Sequence, residues 1–451
     1  MTAPKNPSPD HLRHTWSQSE RAVPRTVVRP LLAFLQLEAA GGILLLVATV
    51  AALVWANSPW QSSYESFWHT RFTIRIGSWA IQEDLQHWIN DALMALFFFV
   101  VGLEIKRELV GGELRDPRAA ALPAIAALGG MIGPALIYAA FNAGGAGSAG
   151  WGIPMATDIA FAVGVLAIAG RRLPTSLKLF LLALAIVDDI GAILVIAIFY
   201  SGGVSMIALG VAAALLALIV VLQRLHVRSL PVYVIIGTGV WLAVFESGVH
   251  ATIAGVALGL LTPAAAFQRR AAVVKAARDV ATDADREEGE PDADAHHWLG
   301  LSRVSRDAIS PLARLENMLH PWTSFLIVPL FALANAGVTL SGDTFGSLPS
   351  SRVALGVIAG LVVGKIVGIS LFAWLATTFK VARLPAGARW SQVVSVAAVA
   401  GIGFTVSLFI AGLAFPTSAL LDEAKIAILT GSLIAGVAGV AFLRISAGKS
   451  D

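Results

Sequence analysis

Runs of about twenty mainly apolar residues recur along this chain, and a helix needs that length to cross a bilayer. Twelve such segments are read, at approximately 31–55, 85–104, 119–141, 153–170, 177–200, 204–222, 230–245, 249–263, 319–338, 353–377, 392–414 and 424–444. The seventh and eighth are short. Backbone polar groups in lipid have no water to bond, so each crossing must satisfy them within itself, and helices are the expected form. Composition agrees. Of 451 residues, 57% are hydrophobic and 14% charged, against roughly half and a quarter in soluble domains.

Cytosolic loops attract Lys and Arg. With the N-terminus inside, 27 of the 32 basic residues fall in inside segments. Only Arg71, Arg75, Arg352 and Lys425 fall outside, and Lys365 lies within a span. A wrong span count would scramble that asymmetry. The expectation is therefore a chain that crosses the membrane many times with both termini cytosolic. A net charge of +3, with no basic cluster interleaved with aromatics, argues against a nucleic-acid partner. The absence of cysteine excludes disulfides and thiolate metal sites.

The expected organisation is a disordered cytosolic tail (1–30), a membrane domain in two parts (31–264 and 311–444), an acidic cytosolic loop between them (265–310) and a short tail (445–451). The first tail holds Pro4, Pro7, Pro9, Pro24 and Pro30 and lacks the apolar core of a signal peptide. The loop carries Asp279, Asp283, Asp285, Glu287, Glu288, Glu290, Asp292 and Asp294, a run expected to be solvated and mobile. Outside, residues 71–81 alternate apolar and polar around Gly77-Ser78, which reads as a β-hairpin with a two-residue turn. An isolated hairpin is barely stable, so it leans on a partner subunit or on the membrane surface.

The informative residues are charges where lipid belongs. Asp188 and Asp189 sit mid-way along Leu181–Ile196, Lys365 mid-way along Val357–Ser370, and Asp158 within Ile153–Phe161. Each costs ~3 kcal/mol at mid-depth, which points to function. The alternative, strongest for Asp158 and Lys365, is charge compensation alone. Neighbours on a helix point about 100° apart, so one aspartate is free to pair with Lys365 while the other faces a cavity. Like charge and burial both raise a carboxyl toward neutral pH, where it can trade a proton for a cation. Sodium is a hard ion and takes oxygen ligands, here carboxylates aided by Thr157 or backbone carbonyls.

Helix breakers fall at matching places. The fourth span opens with Gly150-Trp-Gly-Ile-Pro154, and the eleventh contains Ala400-Gly-Ile-Gly-Phe-Thr405. These are the middle spans of three to five and ten to twelve, equivalent places in an inverted repeat, which is how secondary transporters build a midplane site. The alternative for either span alone is close packing through small residues. An unwound crossing leaves opposed half-helix ends, and Asp158 is expected to neutralise the positive ends and Lys365 the negative ones.

Phe97-Phe-Phe-Val-Val-Gly-Leu-Glu-Ile-Lys-Arg-Glu-Leu109, Ala156–Gly164, Ala183–Ala192, Ser247-Gly-Val-His-Ala-Thr252, Leu330–Val338 and Gly401–Thr405 together resemble the NhaA family of bacterial sodium/proton antiporters over roughly residues 31–265 and 310–444. The resemblance implies that Asp188 and Asp189 are the sodium-binding pair, with Asp189 the direct ligand and Asp188 paired to Lys365. It implies that Thr157 and Asp158 stand at an unwound crossing. It places Glu104, Arg107, Glu108, Glu316 and His320 in a cytosol-facing cluster that answers pH, and matches His250 to another family histidine. It also makes residues 71–81 a homodimer contact, and it implies the cytoplasmic (inner) membrane of a bacterium as the location. Asn317 stands where the family's best-known form has a second histidine, and the 265–310 insert looks longer than usual, which puts the pH set-point in question.

The expected fold is an all-α membrane protein: twelve transmembrane helices with inverted repeats, two interrupted crossing helices in spans four and eleven, and a small extracytoplasmic β-hairpin. The expected function is electrogenic, pH-activated exchange of sodium, and also lithium, for protons, with more protons than sodium per cycle. No cofactor beyond the transported ions is expected, and membrane lipid is the other partner. A sodium-coupled organic-solute symporter of similar fold is the alternative, and would need a larger polar pocket. A channel would not couple its fluxes. An intramembrane aspartyl protease needs its two aspartates on different spans, and an enzyme is not expected.

Overall fold

A computed structural model describes residues 26, 40–77, 79–169, 173–284, 291–340, 348–416 and 419–447. Most of the expected N-terminal tail, the start of the first expected span and the 285–290 tip of the long loop lie outside them. In order, the elements are α1 Ala40–Ala56, α2 Gln61–Trp68, β1 Arg71–Ile76, β2 Trp79–Asp84, α3 Leu85–Gly111, α4 Pro117–Asn142, a 3₁₀ segment Ser148–Met155, α5 Ile159–Ala169, α6 Thr175–Phe199, α7 Met206–Arg224, α8 Leu230–Phe245, α9 Thr252–Leu261, α10 Arg270–Ala284, α11 Pro291–Asp307, α12 Pro311–Asn335, α13 Arg352–Thr378, α14 Trp390–Val399, α15 Phe404–Ala414 and α16 Leu420–Ala447. Helical residues fall within each expected span, of which 31–39 and 170 lie outside the described residues. Among the described residues, length and composition license eight crossings, or ten if the bent pairs α1–α2 and α14–α15 each count once. The expected seventh and eighth spans are α8 and α9, apolar but shorter. Large apolar side chains such as Leu136, Ile198 and Ile207 face outward, a surface suited to lipid.

The two strands pair antiparallel from Arg71↔Asp84 to Ile76↔Trp79. Gly77 takes a φ of +62°, which glycine adopts without a steric penalty. Ser78 of the expected turn lies outside the described residues. The hairpin leans on the chain itself. The Trp88 indole of α3 donates to the Phe72 carbonyl at 2.8 Å, and its ring meets Phe72 edge to face at 5.8 Å.

One packed core runs through most of the bundle, while α7 and α8 share a smaller one with Ala254 of α9. The backbones of α4 and α13 approach so closely at Gly129 and Gly368 that a Cβ on either would overlap the other's carbonyl oxygen. Small residues permit such contact between spans, and here it sets Lys365 against α4 and α6. The long 265–310 segment carries two helices that pack on each other, α10 and α11. Their base is anchored to the α7–α8 turn, where the Arg228 guanidinium lies 3.2 Å over the Phe267 ring and reaches Asp307 Oδ2 at 2.6 Å.

Candidate functional site: two broken spans and their charges

Two helices break where they meet. Between Met155 and Ile159 the chain is not helical, and α14 and α15 are separated by residues 400–403 with a 49° bend. Pro154 has no N–H to give, and glycines at 401 and 403 weaken a helix. The freed backbone groups pair across the junction instead. The Asp158 N–H donates to the Ile402 carbonyl at 2.7 Å, the Thr157 hydroxyl to the Ala400 carbonyl at 2.9 Å, and the Ser407 hydroxyl to the Ile153 carbonyl at 2.7 Å. No lipid-facing group could replace these partners.

Asp158 serves both helix starts. Its Oδ1 accepts from the Phe161 N–H of α5 at 3.0 Å. Its Oδ2 accepts from the Thr405 N–H of α15 at 3.1 Å and from the Thr405 hydroxyl at 2.6 Å. A carboxylate at a helix N-terminus complements its exposed donors and dipole. One side chain does so here for two helices whose starts face each other, and it is 2% exposed.

Lys365 follows a π-turn at Gly360–Gly364 and is fully buried. Its ammonium donates to Asp188 Oδ2 at 2.8 Å and to the Thr157 hydroxyl at 3.0 Å. Lysine therefore meets Asp188, the partner that the family resemblance implies, and does not itself meet the negative end of a half-helix. The Ala400 carbonyl at that end takes the Thr157 hydroxyl, so Lys365 reaches it through one intermediary. Among the described residues, Asp188 Oδ1 is buried without a hydrogen-bond partner. Asp189, on the neighbouring position of α6, is 6% exposed, and among the described residues no hydrogen bond or ion pair engages its carboxylate. The structure thus gathers Thr157, Asp188 and Lys365 directly, places Asp158 one residue away, and leaves Asp189 open.

The residues assigned to a pH response lie at the far end of α3 and on α12. Arg107 pairs with Glu316 and, at 3.5 Å, with Glu108. Glu108 also accepts the Glu113 N–H at 3.0 Å. Glu104, one turn earlier on α3, is within electrostatic range of Arg107, Glu108 and Glu316 on one side and of Asp189 on the other. Among the described residues, no side-chain hydrogen bond or ion pair joins His320 to the cluster, although it is on the same helix as Glu316. Asn317 turns back to the Ala313 carbonyl at 2.8 Å. His250 sits between α8 and α9, and its Nε2 lies 3.0 Å from the Tyr200 carbonyl. A carbonyl only accepts, so Nε2 carries the proton there.

Thr405 had no role in the sequence reading beyond closing a motif. Its position just inside α15, after a Gly-x-Gly break, was the available signal. Ser407 and the hydroxyls of Tyr138 and Tyr200 were also missed.

Charges kept in hydrocarbon at this cost, beside breaks that lipid cannot satisfy, define a transporter of small ions. A family model described as Na+/H+ antiporter 1 matches residues 32–443. The Na(+)/H(+) antiporter NhaA 2 of Sorangium cellulosum is 48% identical over 435 residues, covering 96% of this chain and 92% of its own. The Na(+)/H(+) antiporters NhaA of Koribacter versatilis and Escherichia coli are each 47% identical, covering 96% and 97% of their own lengths and 96% and 91% of this chain. The chain belongs to the Na+/H+ antiporter 1 family.

Proposed function

We propose that this protein exchanges sodium ions for protons across a membrane at Asp188 and Asp189, with Asp189 the direct sodium ligand. Family membership and the extent of identity to the relatives named NhaA support the exchange itself. The observation that carries the assignment is the asymmetry of the pair. Lys365, itself bonded to Thr157, holds Asp188, while among the described residues no hydrogen bond or ion pair engages Asp189 beside it in the same apolar helix. An unengaged carboxylate in a low-dielectric site gains most from binding either a proton or a hard cation. Oδ1 of Asp188, on the neighbouring position of α6, suits a second ligand. Lithium, being hard as well, suits the same oxygens.

Thr157 and Asp158 hold the crossing together and keep its half-helix ends compensated. Lys365 holds Asp188 ionised until the site changes occupancy. Glu104, Arg107, Glu108, Glu316 and His320 adjust the site to pH through Glu104, which is within electrostatic range of Arg107, Glu108 and Glu316 as well as of Asp189. The hairpin's exposed Phe72 and Ile74 suit a homodimer contact. An inner-membrane location is what the family resemblance implies, and cytosolic termini follow from the distribution of Lys and Arg.

More than one protonatable group must discharge to admit a single sodium, so the exchange is electrogenic. Each net charge moved is worth ~2.3 kcal/mol per 100 mV. In vesicles clamped with valinomycin and potassium, a membrane potential alone should drive sodium movement without a pH gradient. Transport indifferent to voltage would show a one-to-one exchange.

A further inference from the structure

Two tyrosine hydroxyls reach into the backbone of the 3₁₀ segment that forms the first half of the broken span. Tyr138 of α4 donates to the Gly147 carbonyl, just before that segment, at 2.7 Å. Tyr200, directly after α6, donates to the Ala149 carbonyl at 2.7 Å and accepts the Gly152 N–H at 3.2 Å. The two glycines of Gly150-Trp-Gly152 are accounted for by these hydroxyls. A Cβ at position 150 would fall on the Tyr138 oxygen, and one at 152 would lie 2.8 Å from the Tyr200 oxygen. A 3₁₀ helix has poor hydrogen-bond geometry and seldom runs beyond three or four residues, whereas this one spans eight. Partners from outside hold it.

Tyr200 differs from Tyr138 in what it is attached to. It ends the unbroken helix that carries Asp188 and Asp189, roughly 16 Å from Asp189 at about 1.5 Å per residue. The helix α6 therefore grips the broken span at two points: through Asp188, Lys365 and Thr157 at the junction, and through the Tyr200 hydroxyl in the 3₁₀ half. A single point of attachment leaves a pivot, and a second removes it. Tyr200 is itself held, because its carbonyl takes the His250 Nε2–H.

We propose that Tyr200 is a positioning residue for exchange, locking the 3₁₀ half of the broken span to the helix that binds the ions so that the ligands keep register while the site changes access. This rests on the reading of Asp188 and Asp189 as the ion site. The test uses the full chain in proteoliposomes, as wild type, Tyr200→Phe, Gly152→Ala and the double variant. Maximal sodium-driven proton flux, apparent KM for sodium and Tm are measured for each.

For Tyr200→Phe, which loses only the oxygen and its two hydrogen bonds, maximal flux should fall about tenfold with KM changed less than about twofold. Gly152→Ala should fall at least as far, because its Cβ meets the oxygen. The double variant should be no worse than Tyr200→Phe, since the next ring atoms lie at 3.1 and 3.4 Å from that Cβ. Wild-type flux in Tyr200→Phe overturns the proposal. So do losses that multiply in the double variant, or a loss that follows a lowered Tm with no split between flux and KM. A wild-type protein without sodium-driven proton movement would instead defeat the functional reading.

Discussion

Lys365–Asp188 and Arg107–Glu316 are the same kind of bond in opposite surroundings. The side chains of the first are 0% and 1% exposed, those of the second 50% and 12%. In water the attraction of a pair is offset by lost hydration and side-chain entropy, and removing a partner costs little. In a dry interior the same loss strands a charge that has nowhere to go. Burial, not pairing, separates the residues this fold depends on from those that can tune it. Asp189 takes the contrast further, being buried with no hydrogen bond or ion pair to its carboxylate among the described residues.

That extreme should give the largest effect. Asp189→Asn removes the charge and keeps the shape, so the chain should fold and insert while sodium-dependent proton movement falls to background. Reconstituted vesicles made with Asp189→Asn decide it. Exchange at the wild-type rate would show that a buried, unpartnered carboxylate is not the ion's ligand, and the comparison would lose its functional end.

The next effect is on stability. Lys365→Ala should cost about 3–5 kcal/mol, because Asp188 is left charged and buried, whereas removing both partners is often nearly neutral. Lys365→Ala with Asp188→Asn should therefore melt above Lys365→Ala alone. Thermal midpoints of the purified single and double variants measure this. A stable single variant would mean that Asp188 simply takes a proton when Lys365 is gone.

Much of this was legible in the chain. Spans were visible because lipid demands length, the hairpin because alternation stops at a glycine, and Asp158, Asp188, Asp189 and Lys365 because a charge in an apolar run is too costly to be incidental. Helix geometry alone could not say which aspartate takes Lys365, since neighbours 100° apart are equivalent until a partner is placed. Thr405 stayed hidden because its bond to Asp158 joins positions 247 apart, and no local pattern encodes such a meeting. The pairing of Lys365 with Asp188 was legible through the family resemblance, whereas dipole reasoning, which treats a half-helix end as a charge, also expected lysine at that end, where the Ala400 carbonyl instead takes the Thr157 hydroxyl. In the 265–310 segment the acidic composition was read and the spacing was not. Val273, Ala276 and Val280, three and four apart, were the signal for α10.

The exposed pair should behave in the opposite way. Arg107→Ala, Glu316→Ala and the double variant should each change stability by no more than about 1 kcal/mol, with the double no better than either single. Their effect should fall on the pH dependence of exchange, because Glu104 is within electrostatic range of both this cluster and Asp189. Flux measured from about pH 6 to 9 at saturating sodium should shift its midpoint in both single variants while Tm stays put. A large fall in Tm would move this pair to the buried side of the comparison.

The most local effect belongs to a third pairing, at the base of the hairpin. Asp84 accepts from the His87 N–H at 2.8 Å as the cap of α3, and its two oxygens meet the Nδ1 atoms of His87 and His69 at 2.6 and 2.9 Å. Partial burial by itself would raise this carboxyl, but the hydrogen bonds from His69 and His87 outweigh it and hold the group below its usual range. A carboxylate lowered on folding stabilises above its unfolded value of 3.8 and gives that stability up as pH falls through the lower folded value. Hairpin protection should therefore be insensitive to Asp84 titration at neutral pH and decline only below about pH 4. Two substitutions separate the charge from the cap. Asp84→Asn keeps a capping oxygen and should speed amide exchange in 71–84 by about fivefold or less, as a half-exposed ion pair predicts. Asp84→Ala also loses the cap, typically ~1 kcal/mol more. Hydrogen exchange resolved to the hairpin measures both. Equal losses in the two variants would assign the contribution to charge alone, and Asp84 would then belong with Asp188 despite its exposure.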